Sequence, residues 1–107
     1  MIETFAALAE PNRYRIIETL RRGPKSVNEL TERLGLNQPL VSKHLRILRD
    51  AGLVRVTPQA QLRLYSLDAA SFQRLHAWLE RYRQLWDERL DQLDALVQEL
   101  NDEKENE

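Results

Sequence analysis

Between Asn37 and Gly52 the run N-Q-P-L-V-S-K-H-L-R-I-L-R-D-A-G carries Gln38, Ser42, Lys43 and Arg46 at helical spacing, weighted toward its first half. A glutamine amide both donates and accepts, which suits the edge of adenine; lysine suits guanine, and a serine hydroxyl takes either role. Lysine and arginine also neutralise phosphates. Together these groups can read base edges in a duplex groove, each good contact discriminating by about 1–3 kcal/mol. Catalysis would need a nucleophile with a base, or acids gathered around a pocket. The carboxylates here are scattered in surface-like patterns, so no enzyme is expected.

A helix over 38–51 must hold these side chains outward. Asn37 is a good N-cap, Pro39 is tolerated in a first turn, and Gly52 supplies the left-handed residue that ends a helix. Val41, Leu45 and Leu48 form one apolar seam, and Pro39, Lys43 and Arg46 point the other way. An ordinary amphipathic surface helix has the same pattern, so the neighbours decide. In S-V-N-E-L-T-E-R-L-G, Ser26 and Glu29 make a capping box, Val27, Leu30 and Leu34 an inward stripe, and Gly35 an end. Only Gly35 and Leu36 precede the cap at Asn37, so two helices meet steeply, as in a helix-turn-helix. Upstream, a helix from Pro11 or Asn12 to Arg22 shows Tyr14, Ile17 and Leu20 on one face, widened by Ile16, before Gly23-Pro24 stops it. Ile2, Phe5, Leu8 and Ala9 give a helical face too short to persist alone, so it must pack on something.

After Gly52 the period changes to two. L-V-R-V-T-P and L-R-L-Y-S-L, joined by Q-A-Q, predict a hairpin over 53–67, with Pro58 at a turn or edge. A hairpin this small must lie against the helices as a wing, placing Arg55 and Arg63 to touch phosphates or a minor groove or to serve as edge charges. From Asp68 as N-cap, Phe72, Leu75, Leu79, Tyr82, Trp86, Leu90, Leu93, Val97 and Leu100 predict one helix over 69–101. At about 45 Å it is longer than so small a domain can cover. A homodimer is therefore expected, with Ile2, Phe5, Leu8, Leu79, Tyr82, Trp86, Leu90, Leu93 and Val97 at its seam. Trp78, Tyr82 and Trp86 fit either core packing or a ligand pocket there. His76 reads as a half-buried packing residue, and residues 102–107 as a frayed polar tail. The fold expected is mainly α with a small β-hairpin (α+β), a winged helix-turn-helix of order α-α-α-α-β-β-α. Residues 1–68 would form the DNA-binding region with its N-terminal dimerisation helix.

Charge divides along the chain. The formal sum is +1 over residues 1–36, +4 over 37–66 and −6 over 67–107. A basic stretch beside an acidic tail suits a surface that attracts phosphate while the rest repels it. With no cysteine there is no disulfide and no thiolate metal site. No apolar run approaches membrane-spanning length and no leader pattern opens the chain, so a soluble cytoplasmic protein without membrane contact is expected.

The runs A-L-A-E-P-N-R-Y-R-I-I-E-T-L, S-V-N-E-L-T-E-R-L-G-L-N-Q-P-L-V-S-K-H-L-R-I-L-R-D-A-G-L-V and L-Y-S-L resemble the ArsR/SmtB family of bacterial winged-helix transcriptional repressors over about residues 4–68. The resemblance implies a homodimer that sets reading helices in successive major grooves of a near-palindromic operator and represses a promoter, commonly its own. By position it assigns DNA contacts to Gln38, Pro39, Ser42, Lys43 and Arg46, with His44 at the flank and Arg63 on the wing. Metal-sensing members carry cysteines where this chain has Ser26 and Asn28, and its two histidines, His44 and His76, stand on different helices. The tail run W-L-E-R-Y-R-Q-L-W-D-E-R-L-D-x-L resembles the branch of that family without an evident metal site, and neither metal nor cofactor is expected. Relatives often carry Gly and Arg at the wing tip, where this chain has Ala60, Gln61 and Leu62. Two alternatives stand beside the repressor: a protein-binding winged-helix adaptor, and a repressor of the same fold released by a small molecule, of which the sequence identifies none.

Overall fold

Local capping signals set most of the element ends in the computed structural model, which describes residues 1–105. The order is α1 (Ile2–Leu8), α2 (Pro11–Leu20), β1 (Lys25–Ser26), α3 (Val27–Leu34), α4 (Gln38–Asp50), β2 (Val54–Gln59), β3 (Leu62–Leu67) and α5 (Ala69–Glu105). Glu10 caps α2 by accepting the Arg13 N–H at 2.9 Å, with Pro11 in the first turn. Ser26 and Glu29 close the expected capping box on α3, and Asn37 accepts the Leu40 N–H at 2.9 Å at the head of α4. Gly35, at φ 67°, turns the chain out of α3 in a conformation that a Cβ disfavours. Asp68 caps α5 through the Ser71 N–H.

The chain divides into two units, Met1–Gln73 and the segment from Arg74 onward. In the first, Ile16, Leu30, Val41, Leu45, Leu48 and Leu53 are fully buried and are joined by Ala7, Ile17, Leu20, Leu34 and Val54. Tyr65, Leu67 and Phe72 pack on this core. The second unit is the helical continuation of α5.

The winged helix-turn-helix architecture is as expected, with differences that have physical causes. Three strands form the sheet, in the order β1-β3-β2, because Lys25 and Ser26 pair with Tyr65 and Leu64. Two residues are too few to display alternation, so β1 leaves no periodic trace in the sequence. The edge strand β2 contains Pro58, opposite Arg63, and the turn narrows to Ala60 and Gln61, with Ala60 at φ 55°. α2 ends at Leu20 rather than Arg22, and its buried face is Ile16, Ile17 and Leu20, leaving Tyr14 exposed.

On α1 the buried residue is Ala7. Leu8 packs partly on the core, and Ile2 and Phe5 are exposed. The first unit runs on through Gln73, since Ser71 Oγ donates to the Gly52 carbonyl at 2.6 Å and Phe72 joins the core. His76 is exposed, not half-buried. Helix continues through Asn101 to Glu105, so the first part of the expected frayed tail, 102–105, is helical. Residues 106 and 107 lie outside the described residues.

Candidate nucleic-acid interface

α4 is held from behind by Val41, Leu45 and Leu48, all fully buried. It meets α3 across the short Gly35–Asn37 link. Arg15 of α2 steadies that link by donating from Nη2 to the Leu34 carbonyl at 3.0 Å, taking up an acceptor that the end of α3 leaves free. On the opposite face Gln38, Pro39, Ser42, Lys43 and Arg46 are all exposed. Pro39, Ser42, Lys43 and Arg46 line one open depression. Among the described residues Lys43 and Arg46 have no hydrogen bond or ion pair, so their charges are uncommitted. Arg49, passed over in the sequence reading, is also exposed and extends the Ser42–Arg46 row by a further helical step. Its place at i+3 from Arg46 was the signal available.

His44 does not belong to this face. It is only 6 % exposed, and its Nδ1 lies 3.4 Å from Arg13 Nη1 and 3.8 Å from Glu10 Oε2. One residue past Lys43, a 100° turn of the helix carries it inward beside Val41, Leu45 and Leu48.

The wing arginines separate. Register pairs Arg55 with Ser66 and Arg63 with Pro58. Directly opposed residues share a face and neighbours along a strand alternate, so Arg63 shares the face of Tyr65 and Leu67, and Arg55 the other. Both are exposed.

Along α5, Leu79, Tyr82, Trp86, Leu90, Leu93 and Val97 are each 46–54 % exposed, and Leu85 and Leu96 are exposed as well. Trp78 and Tyr82 stack with centroids 5.4 Å apart, and Trp86 meets Tyr82 edge-on at 6.1 Å. The rings are thus a ladder on one helix surface. Ser26 is committed to capping α3, and the described residues hold no cluster of three or more His, Cys, Asp or Glu that could bind a metal ion. No helix among them is long and apolar enough to cross a membrane.

Comparison with known proteins gives a consistent set of likenesses. The sequence model described as "Bacterial regulatory protein, arsR family" matches residues 10–56, from the α2 cap into β2. The HTH-type transcriptional regulator Rv2034 of Mycobacterium tuberculosis is 40% identical over 76 residues, 71% of each chain. The HTH-type transcriptional repressor SmtB of the same species is 43% identical over 65 residues, 61% of this chain and 48% of that one, so the match spans about half of SmtB. Among solved structures, an ArsR-like transcriptional regulator from Rhodococcus sp. RHA1 superposes with a TM-score of 0.75 at 29% identity, covering 89% of this chain and 90% of that one.

Proposed function

Since the chain belongs to the ArsR family and is a transcriptional regulator of winged helix-turn-helix fold, we propose that it is a homodimeric, DNA-binding repressor. It sets α4 in the major groove of a near-palindromic operator, acts in the cytoplasm and represses by occluding polymerase. The observation that carries this reading is the exposed, unpaired cationic face of a helix whose other side is locked into the core. Gln38, Ser42 and Lys43 read base edges, while Arg46, with Arg55 or Arg63 from the wing, engages phosphates. Pro39 lets the backbone of the first turn approach the groove closely. The exposed stripe of α5, with Ile2, Phe5 and Leu8 of α1, covers itself against a second copy. Two readers about a two-fold axis require half-sites about one helical turn apart. That SmtB is named a repressor favours repression.

Selecting bound duplexes from a random pool tests the proposal. The expected product is an inverted repeat with that spacing, bound by a dimer with salt-sensitive affinity. A monomer that enriches no duplex would instead indicate an adaptor for another protein.

A further inference from the structure

We propose that His44, although turned away from DNA, is a pH-sensitive positioning residue that sets how α4 is seated, acting through Arg13 and Glu10. The inference rests on the DNA-binding reading above and adds to it a control on the reading helix. Four groups from three elements meet behind α4. Arg13 of α2 donates from Nε to the Ala7 carbonyl at the end of α1, at 2.7 Å, and presents Nη1 to His44 Nδ1 at 3.4 Å. Glu10 Oε2 accepts the Arg13 N–H and also lies 3.8 Å from the same ring nitrogen. Arg13 therefore ties the C-terminus of α1 to the middle of α4. Beside it, between α1 and α4, runs an open groove of about 360 Å³, lined by Glu3, Ala6, Ala7, Ile47, Asp50 and Ala51 as well as Arg13.

The tie depends on one lone pair. A guanidinium only donates, so its contact with His44 Nδ1 requires the neutral ring with its proton on Nε2. Histidine is the side chain that ordinarily changes charge within the pH 5–8 range. A proton on Nδ1 abolishes the acceptor, sets two cations against each other beside a buried ring, and offers a donor to Glu10 instead. The ring then changes partner from Arg13 to Glu10. Glu10 is drawn from its cap on α2, Arg13 is released, and the α1–α4 tie opens. Glu10 and Arg13 are the charged groups facing the ring, with Glu3 and Asp50 farther along the groove.

The sign of the effect separates this device from simple electrostatics. A histidinium on the reading helix adds positive charge and would tighten phosphate binding as pH falls, whereas opening the tie weakens it. The test compares wild type with His44→Asn, whose amide oxygen offers a non-titrating acceptor near the Nδ1 position. Between about pH 8 and about pH 5.5, wild-type affinity for the selected operator should fall about tenfold more than that of His44→Asn. In a parallel NMR titration, the Arg13 Nε–H signal should move with the midpoint of the His44 ring in wild type and stay still in His44→Asn. Glu10→Gln, which keeps the α2 cap acceptor but removes the carboxylate toward which the protonated ring turns, should lessen the fall in affinity on the acid side. An Arg13 signal that stays still while His44 titrates would overturn the proposal, as would an undiminished pH response in His44→Asn. Should Arg13 follow His44 in a protein that binds no duplex at any pH, the switch is supported and the DNA reading it serves fails.

Discussion

Replacing Arg46 with Ala isolates the phosphate term of the proposed interface. Arg46 is exposed and has no partner among the described residues, so its loss should change folding stability by no more than about 0.5 kcal/mol. In a dimer the substitution removes two cations from the DNA face. Each phosphate contact contributes about 0.9 to the slope of log affinity against log salt, so the slope should fall by about 1.8. Over a fourfold rise in salt, from about 50 to about 200 mM, wild-type affinity should then drop roughly tenfold more than that of Arg46→Ala. Fluorescence anisotropy with a labelled duplex across that range measures the slopes directly. The term is independent of sequence, so a non-operator duplex serves as well as the selected operator. Equal slopes, with both proteins folded and dimeric by circular dichroism and sedimentation, would show that Arg46 touches no phosphate and that α4 is not presented as proposed.

Leu45→Ala, at a site with no exposure in the seam behind the reader, should cost about 2–5 kcal/mol in urea denaturation; a loss under about 1 kcal/mol would mean that the seam does not carry the fold. Leu90→Glu combined with Leu93→Glu places charges in the middle of the exposed α5 stripe and should give a monomer by sedimentation equilibrium, whereas an unchanged dimer mass would remove α5 from the interface. Ala60→Gly should stabilise the protein by about 0.5–1 kcal/mol, because Ala60 is held at φ 55° in the wing turn; a lower Tm would contradict that reading.

The sequence made the helix-turn-helix legible because its punctuation is local. The Ser26–Glu29 box, Gly35 and Asn37 each act within three or four residues, and the structure uses all of them. The reading face was equally legible, since Val41, Leu45 and Leu48 fix the rotation of α4 and hence which residues remain outside. What escaped was non-local. β1 exists only because Lys25 and Ser26 find the free edge of β3, far along the chain. His44 was placed on the DNA flank because motif position says nothing of whether a neighbouring helix covers a ring. Tyr14 was placed inside by spacing alone, although Ile16 and Ile17 already fill that side of α2.

Two arginines of α2, Arg13 and Arg15, each donate to a carbonyl near the end of a different neighbouring helix. Residues two apart on a helix leave it in different directions, and here Arg13 holds the end of α1 while Arg15 holds the end of α3. α2 is thereby the frame between the helix whose apolar residues are proposed to join two copies and the turn that aims α4. If half-site spacing is set by the distance between two readers, the part of that path that runs through α1 passes through these two side chains. A change in either one would alter where the readers point without touching DNA or the dimer seam.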